Sequence, residues 1–314
     1  PGMHCPWADD LADAKRVAVQ LGIPFKVYDF QDQYRQKVVD YMVDEYKAGR
    51  TPNPDVMCNQ EVKFKLFLEA ALEDGADMIA TGHYARIDLR STSEDLKATA
   101  ALCIPVDKVK DQTYFLYRVT AEALEKTLFP LGIYKKEHVR KIAEEKKLAT
   151  ATKKDSQGIC FVGSVGIRDF LLEFVSPRPG AIIEKETGKV FGQHDGAIFY
   201  TLGQRHGLEV GGGMPCYVVG KDMDKNEVYV SRNLNDKAMW RETVELNNLH
   251  WIHETAEEGE QLLVRLRHRG KLLPCIFQGQ TLKMLEPERA VTAGQSAVLY
   301  RGSECLGGGI VTGL

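Results

Sequence analysis

Several absences narrow the field before any motif is considered. No two of the seven cysteines stand in a CxxC pair, and their number is odd. Neither a structural zinc site nor a disulfide framework can be drawn from such a scatter, which fits a reducing compartment such as a cytoplasm. No apolar run reaches the length of a membrane span, so no membrane partner is expected. The chain also lacks a basic excess: its formal net charge is -3. That is not the signature of a general polyanion binder, but it leaves room for a local basic face. The Gly211-Gly212-Gly213 run has neither the lysine spacing nor the strand–helix context of a phosphate-gripping P-loop, and reads as a turn. What remains is ordinary for a folded protein: 44% hydrophobic and 27% charged residues, over a length of 314 that allows two or three domains.

Against that plain background one stretch stands out, Thr51-Pro52-Asn53-Pro54-Asp55-Val56-Met57-Cys58-Asn59. Two prolines fix their own φ angles and push Thr51 and Asn53 out of helical backbone. The spacing predicts a stiff polar loop feeding a helix over about 60–73, with Val62, Phe64, Phe67, Leu68, Ala71 and Leu72 inward. A thiol held there would lie near the positive end of that helix, which favours a thiolate. Taken alone, Cys58 reads as readily as a buried, inert thiol, the ordinary fate of a free cysteine.

The remainder of the first half alternates helices and short strands. Helices are predicted over 8–21, 31–48, 121–128 and 135–147, and alternation predicts a strand over Phe25–Phe30. Asp77–Tyr84 reads as a buried strand opening into Thr81-Gly82-His83, the carboxyl end where open α/β sheets bind ligands. Residues 87–100 read as an exposed crossing, and 101–106 as weak strand. Lys110-Asp111-Gln112, before the aromatic run Tyr114-Phe115-Leu116-Tyr117, suits phosphate or base contacts, or a solvated turn. Lys153–Phe161 is a second polar loop with a thiol, Cys160; if the two loops meet, one thiolate can attack sulfur held on the other. Past about residue 164 short strands and glycine turns take over. These features predict an α/β domain over 1–163, a small mainly β domain over 164–225 and a C-terminal β-barrel over 226–314. In the last of these, alternation would put Arg265, Arg267 and Arg269 on one strand face, either solvated or, the favoured reading, turned toward a polyanion.

The chain resembles the tRNA-specific 2-thiouridylase family. The stretches that carry the resemblance are DLADAKRVAVQLGIP (10–24), EYKAGRTPNPDVMCNQEVKF (45–64), ADMIATGHYAR (76–86), KDQTYFLY (110–117), KKDSQGICF (153–161), YTLGQRHGL (200–208) and VTAGQSAVLY (291–300). They span essentially the whole chain. The resemblance implies an N-terminal PP-loop ATP-pyrophosphatase domain of the adenine nucleotide alpha hydrolase-like class, ahead of the two β domains. It also implies a reaction in which ATP and Mg²⁺ activate C2 of the wobble uridine of tRNA by adenylating O2, after which sulfur replaces that oxygen.

In that scheme Cys58 is the nucleophile and Cys160 carries the persulfide. Either the persulfide's terminal sulfur attacks directly and Cys58 then cleaves the sulfur–sulfur link, leaving a Cys58–Cys160 disulfide for a reductant to reset, or Cys58 first cleaves the persulfide to release hydrogen sulfide. Asn53, Pro54 and Asp55 surround the target base, with Asp55 as general acid or base or as an orienting group. Gly82 contacts ATP. His83, Lys110, Asp111, Gln112, Arg267, His268 and Gln295 match tRNA-contacting positions. Where the family has Arg-Tyr, this chain has Arg267-His268. The expected partners are a wobble-uridine tRNA and a cysteine desulfurase or sulfur-relay protein as persulfide donor. A bacterial cytoplasm is the expected location, with a mitochondrial homologue as the other possibility. The family's Ser-Gly-Gly-x-Asp-Ser loop, which grips the pyrophosphate of ATP, has no counterpart here, and Pro1-Gly2-Met3-His4-Cys5 runs almost at once into a helix pattern. A segment carrying the first strand and that loop is therefore expected ahead of position 1. Two alternatives accompany this reading: a tRNA-binding protein that is catalytically incomplete, and another PP-loop enzyme that adenylates a small molecule.

Overall fold

The computed structural model describes residues 7–90, 99–153, 166–208, 215–233 and 235–312. Helix Trp7–Leu21 opens the N-terminal unit, with Asp9 and Asp10 in its first turn, where the helix dipole favours negative charge. Residues 23–30 follow without regular structure, although Phe25–Phe30 alternates as a strand does. A strand requires a neighbouring ladder for its backbone groups, and none pairs with this segment among the described residues. Its side chains anchor it instead: Lys26 and Tyr28 both bond to the Asp74 carboxylate.

Two long helices come next, each interrupted by a wider π-helical stretch. The first runs Gln31–Tyr34, Arg35–Val39 and Asp40–Lys47, the middle part being π-helical. It closes at Gly49, where the Arg50 amide bonds to Glu45 O and the Gly49 amide to Tyr46 O. The second runs Pro54–Met57, Cys58–Leu66 and Phe67–Glu73, again π-helical in the middle. The sequence placed its start near residue 60. Instead the proline loop is the first helical turn. Asn53 is the extended residue ahead of the helix, and Pro54 takes the first helical position, where its missing N–H costs nothing.

Strand β1 (Ile79–Ala80) pairs parallel with β4 (Thr127–Leu128). Between them, β2 (Arg86–Arg90) and β3 (Thr99–Cys103) form an antiparallel pair. The first residues of the expected crossing are thus strand, while 91–98 lie outside the described residues.

The middle unit is a four-stranded sheet in the order β6 (Val190–His194), β5 (Gly180–Glu184), β8 (Glu227–Ser231), β7 (Tyr217–Asp222). Ile182, Val218, Val228 and Val230 fill its core. The boundary placed at 225 by composition falls inside the β7–β8 pair, so this sheet extends through Ser231. Helix Ile167–Leu171 brings Phe170 and Leu171 against Val39, Met42, Val43 and Tyr46, seating the middle unit on the first π-interrupted helix.

Six strands make the C-terminal barrel: β9 (Trp240–Trp251), β10 (Gln261–Arg265), β11 (Leu273–Gln278), β12 (Thr281–Arg289), β13 (Ser296–Arg301) and β14 (Glu304–Val311). They run β10-β11-β12-β9-β14-β13, and β13 pairs back to β10, which closes the barrel and leaves no free edge. The order of domains, α/β then mainly β then barrel, is the one expected from the sequence. The expected arginine face is not formed. β10 ends at Arg265, whose side chain turns inward and is buried, while Arg269 lies beyond the strand at φ +60°.

The barrel meets the N-terminal unit through one paired position, Cys103 opposite Glu304. A shared core holds them more firmly. Tyr114, Leu116, Tyr117 and Leu102 from the first unit pack with Ile252, Val298, Tyr300 and Cys305 from the barrel. At about 1.5–3 kcal/mol for each large apolar side chain fully buried, this interface outweighs a single strand bridge.

Candidate active site at the start of the proline-loop helix

Cys58 opens the π-helical stretch and is buried, packed with Val38 and Val62 and flanked by Phe30, Tyr34 and Met57. It lies one full turn inside the helix, not in the loop before it, and so beyond the first turn where the end field acts. A π-helical stretch is rare and occurs mostly at functional sites, because widening the turn re-aims the side chains around it. Two neighbours of Cys58 tie this stretch down. The Asn59 amide donates to Phe115 O at 3.0 Å, leaving its Oδ1 buried with no partner. Gln60 Oε1 accepts from Arg118 Nε at 2.6 Å, and Arg118 also donates to Asn248 O of the barrel at 2.8 Å.

Asp55 lies half-buried one turn ahead of Cys58, and burial pushes its carboxyl above the usual range, opposed by the charge of Lys63. Asn53 reaches the hydroxyl of Tyr114, which itself donates to Ser296 O of the barrel at 3.0 Å. His83 stands beside the same helix, its ring 5.6 Å from that of Phe64, with Nδ1 2.9 Å from Thr81 Oγ1. Burial, followed by the Lys63 charge, lowers its pKa to about 3, so the imidazole is neutral at physiological pH. The field of Lys63 thus reaches both Asp55 and His83. Sequence reading passed over Lys63, although its place two turns beyond Asp55 on one helix was the available signal.

This burial has a measurable consequence. An unfolded histidine protonates near its ordinary value of 6.5, whereas His83 in the fold does not until about pH 3. Stability is therefore full above 6.5 and falls as pH drops through that window, by about 2 kcal/mol between pH 7 and 5. Urea titrations at the two pH values should show this loss, and His83→Gln should reduce the pH dependence by that amount. An unchanged slope in the variant refutes the assignment.

Gly82 borders open space: a Cβ added there would meet nothing within 4 Å. The end of β1 therefore admits close approach of a ligand to the backbone, which fits a nucleotide contact. The other positions named from the sequence divide into two groups. Arg267 is exposed, 3.9 Å from Glu288, and Lys110 is half-buried. His268 packs against Phe115, ring centres 4.3 Å apart and planes tilted by 37°; burial first, and then the charges of Arg269 and Arg265, lower its pKa.

Three others face inward. Asp111 is buried and accepts from Arg265 Nη1 at 2.6 Å and from the Thr113 amide and hydroxyl at 2.9 and 2.7 Å. Gln112 Oε1 accepts from the Tyr84 amide at 2.8 Å. Gln295 donates to Thr51 O at 2.8 Å. Both carboxylate oxygens of Asp111, and one amide atom of each glutamine, are thus engaged within the protein. Cys160 lies outside the described residues.

A buried thiol one turn behind a polar turn, on a helix braced by a β-barrel, fits a multidomain enzyme with an α/β unit at its N-terminal side. The sequence comparisons narrow this class. Residues 2–164 match the family profile described as tRNA methyl transferase HUP domain, 168–232 its PRC-barrel domain, and 241–311 an aminomethyltransferase beta-barrel domain. The tRNA-specific 2-thiouridylase MnmA of Bacillus pumilus (strain SAFR-032) is 46% identical over 316 residues, an alignment covering 98% of this chain and 83% of the relative. That of Bacillus subtilis (strain 168) is 44% identical over 315 residues, with the same coverage of each chain. The chain belongs to the tRNA-specific 2-thiouridylase family, a family of ATP-using tRNA sulfurtransferases.

Proposed function

We propose that this protein replaces O2 of the wobble uridine of tRNA with sulfur, using ATP with Mg²⁺ and a persulfide carried on Cys160. The observation that carries this reading is the placement of Cys58. A thiol sits one turn behind Asn53-Pro54-Asp55 on a braced helix, a turn able to enclose a base against a nucleophile. The family profile speaks of methyl transfer. Two cysteines in two polar stretches of the sequence serve sulfur transfer better, since sulfur–sulfur exchange is the native chemistry of thiols.

When bound, ATP supplies the adenylyl group that turns uridine O2 into a leaving group, and Gly82 lines its approach. Uridine must leave the anticodon stack to reach Cys58, as targets of other base-modifying enzymes do. The Asn53–Asp55 turn holds the extruded base. Asp55, its carboxyl pushed up by burial, is suited to act as a proton donor or acceptor or to orient the base. The terminal sulfur of the Cys160 persulfide bonds to C2 as the oxygen departs with AMP. Cys58 then attacks the remaining sulfur–sulfur bond, which releases thiouridine and leaves a Cys58–Cys160 disulfide. Two electrons from a reductant restore both thiols. Arg267, exposed, and Lys110, half-buried, supply positive charge for the RNA backbone, so binding weakens with salt. His83 and His268 border the base as neutral rings. A cysteine desulfurase or sulfur-relay protein reloads Cys160 in a reducing cytoplasm. Among the described residues no helix is long and apolar enough to cross a membrane.

The test is direct. Unmodified wobble-uridine tRNA, ATP, Mg²⁺ and a persulfide donor are supplied to the intact-length protein, and the nucleosides are analysed by mass spectrometry. Thiouridine is the expected product; methyluridine, or tRNA binding without product, overturns the reading.

A further inference from the structure

Residues 49–51, just ahead of the proline loop, lie where all three units meet. The Thr51 amide donates to Ala293 O of the barrel at 2.9 Å, and its carbonyl accepts from Gln295 Nε2 at 2.8 Å. Its hydroxyl shares a hydrogen bond with the Thr201 hydroxyl of the middle unit at 3.1 Å. Backbone donor, backbone acceptor and side chain of Thr51 are thus all engaged by other parts of the protein.

The flanking residues fit as closely. A Cβ on Gly49 would lie 2.7 Å from Met223 Cγ, and one on Gly294 would lie 2.8 Å from Thr51 N. Both glycines also have positive φ, +77° and +89°. Arg50 is fixed by a two-point pair with Glu45 at 2.6 and 2.5 Å. Beyond this clamp, Pro52 and Pro54 are buried and conformationally locked, so the path from Thr51 to Cys58 has little slack.

We propose that Thr51 is a positioning residue: it ties the Asn53–Cys58 turn to the barrel and the middle unit, so that RNA seated on those units is brought into register with Cys58. This rests on the thiolation reading only for the identity of the RNA. A site supported this way differs from a merely folded one in that small misplacements cost rate, not binding.

The experiment uses Thr51→Val, Thr201→Val, the double variant and Thr201→Ser, all in the full chain. Iodoacetamide labelling of Cys58 is followed by peptide mass spectrometry, with the barrel-core thiol Cys275 as internal reference. Loss of one hydrogen bond should speed Cys58 labelling about 5- to 10-fold while Cys275 stays unchanged. In turnover on tRNA, kcat should fall about 10-fold with KM within about 2-fold. Thr201→Ser should restore both values, and the double variant should be no worse than either single, because the two hydroxyls act through each other.

Labelling at the wild-type rate in both valine variants refutes the proposal. A parallel rise at Cys275 does so too, since it marks general loosening. If the wild type makes no thiouridine, the functional reading fails, and the labelling contrast still decides whether Thr51 positions the turn.

Discussion

Cys58→Ser is expected to lower thiouridine formation by at least about 10³-fold, because an alcohol cannot do what the thiolate does in sulfur–sulfur exchange. The step assigned to Cys58 breaks a bond between two sulfurs, forming one new disulfide. A serine alkoxide is scarcely populated at neutral pH, and a sulfenate ester would be the product, with no route back to two thiols. Serine has nearly the shape of cysteine, so the helix and its braces should persist. The hydroxyl would sit among Val38, Val62, Phe30, Tyr34 and Met57, where the more polar group is the less favoured one. Cys58→Ala, which has no side-chain nucleophile at all, is the second control: both variants should be inactive, and both should stay folded. Retention of thiouridine synthesis in either variant, measured by nucleoside mass spectrometry, would remove Cys58 from the mechanism while leaving the sulfurtransferase class intact. Cys160→Ser run alongside asks the same of the persulfide carrier.

The sequence exposed the local features of this protein far better than its long-range ones. The helices over 7–21, 31–47 and 136–145 announce themselves through apolar spacing and terminal glycines, and the β-rich end through alternation between turns. Phe25–Phe30 shows the limit of periodicity: alternation describes a surface that fits a sheet, but the ladder depends on a neighbour that local pattern does not specify. The start of the Cys58 helix was misplaced because two prolines were taken for a break, whereas Pro54 at the first helical position is an initiator. Asp111, Gln112 and Gln295 are polar and sit in turns, which reads as surface. Their partners Arg265, Tyr84 and Thr51 are distant in sequence or belong to another unit, so these bonds have no local signal. Arg265 was paired in thought with Arg267 and Arg269 by spacing alone, and the end of β10 breaks that spacing. Cys58, Asp55 and Asn53 were legible because they are near neighbours on one rigid stretch.

The Asp111–Arg265 pair yields the largest expected effect on stability. The side chains are 2% and 9% exposed, and Arg265 also lies over the Tyr300 ring at 5.3 Å. Asp111→Ala leaves the guanidinium buried without its counter-charge and deprives Thr113 of its acceptor. Such a break costs about 3–5 kcal/mol, whereas the intact pair need add little net stability of its own. Asp111→Asn keeps one acceptor oxygen, which can serve Thr113 or Arg265 but not both, and removes the charge, so its loss should still be large but smaller than alanine's. Urea denaturation orders the three proteins. A surface role for Asp111 predicts a different outcome, weakened tRNA binding with unchanged stability, and that result would overturn the buried-pair assignment. Arg267→Ala supplies the contrast: an exposed arginine should barely change the urea midpoint while weakening tRNA binding and reducing its salt slope by about one. The loss at Asp111 should also reach the site. The next residue, Gln112, holds the Tyr84 amide, and Tyr84 follows His83 directly. A barrel that slips at Arg265 therefore disturbs the ring that packs on the Cys58 helix, so the charge buried between two units keeps the site in register although it touches no substrate.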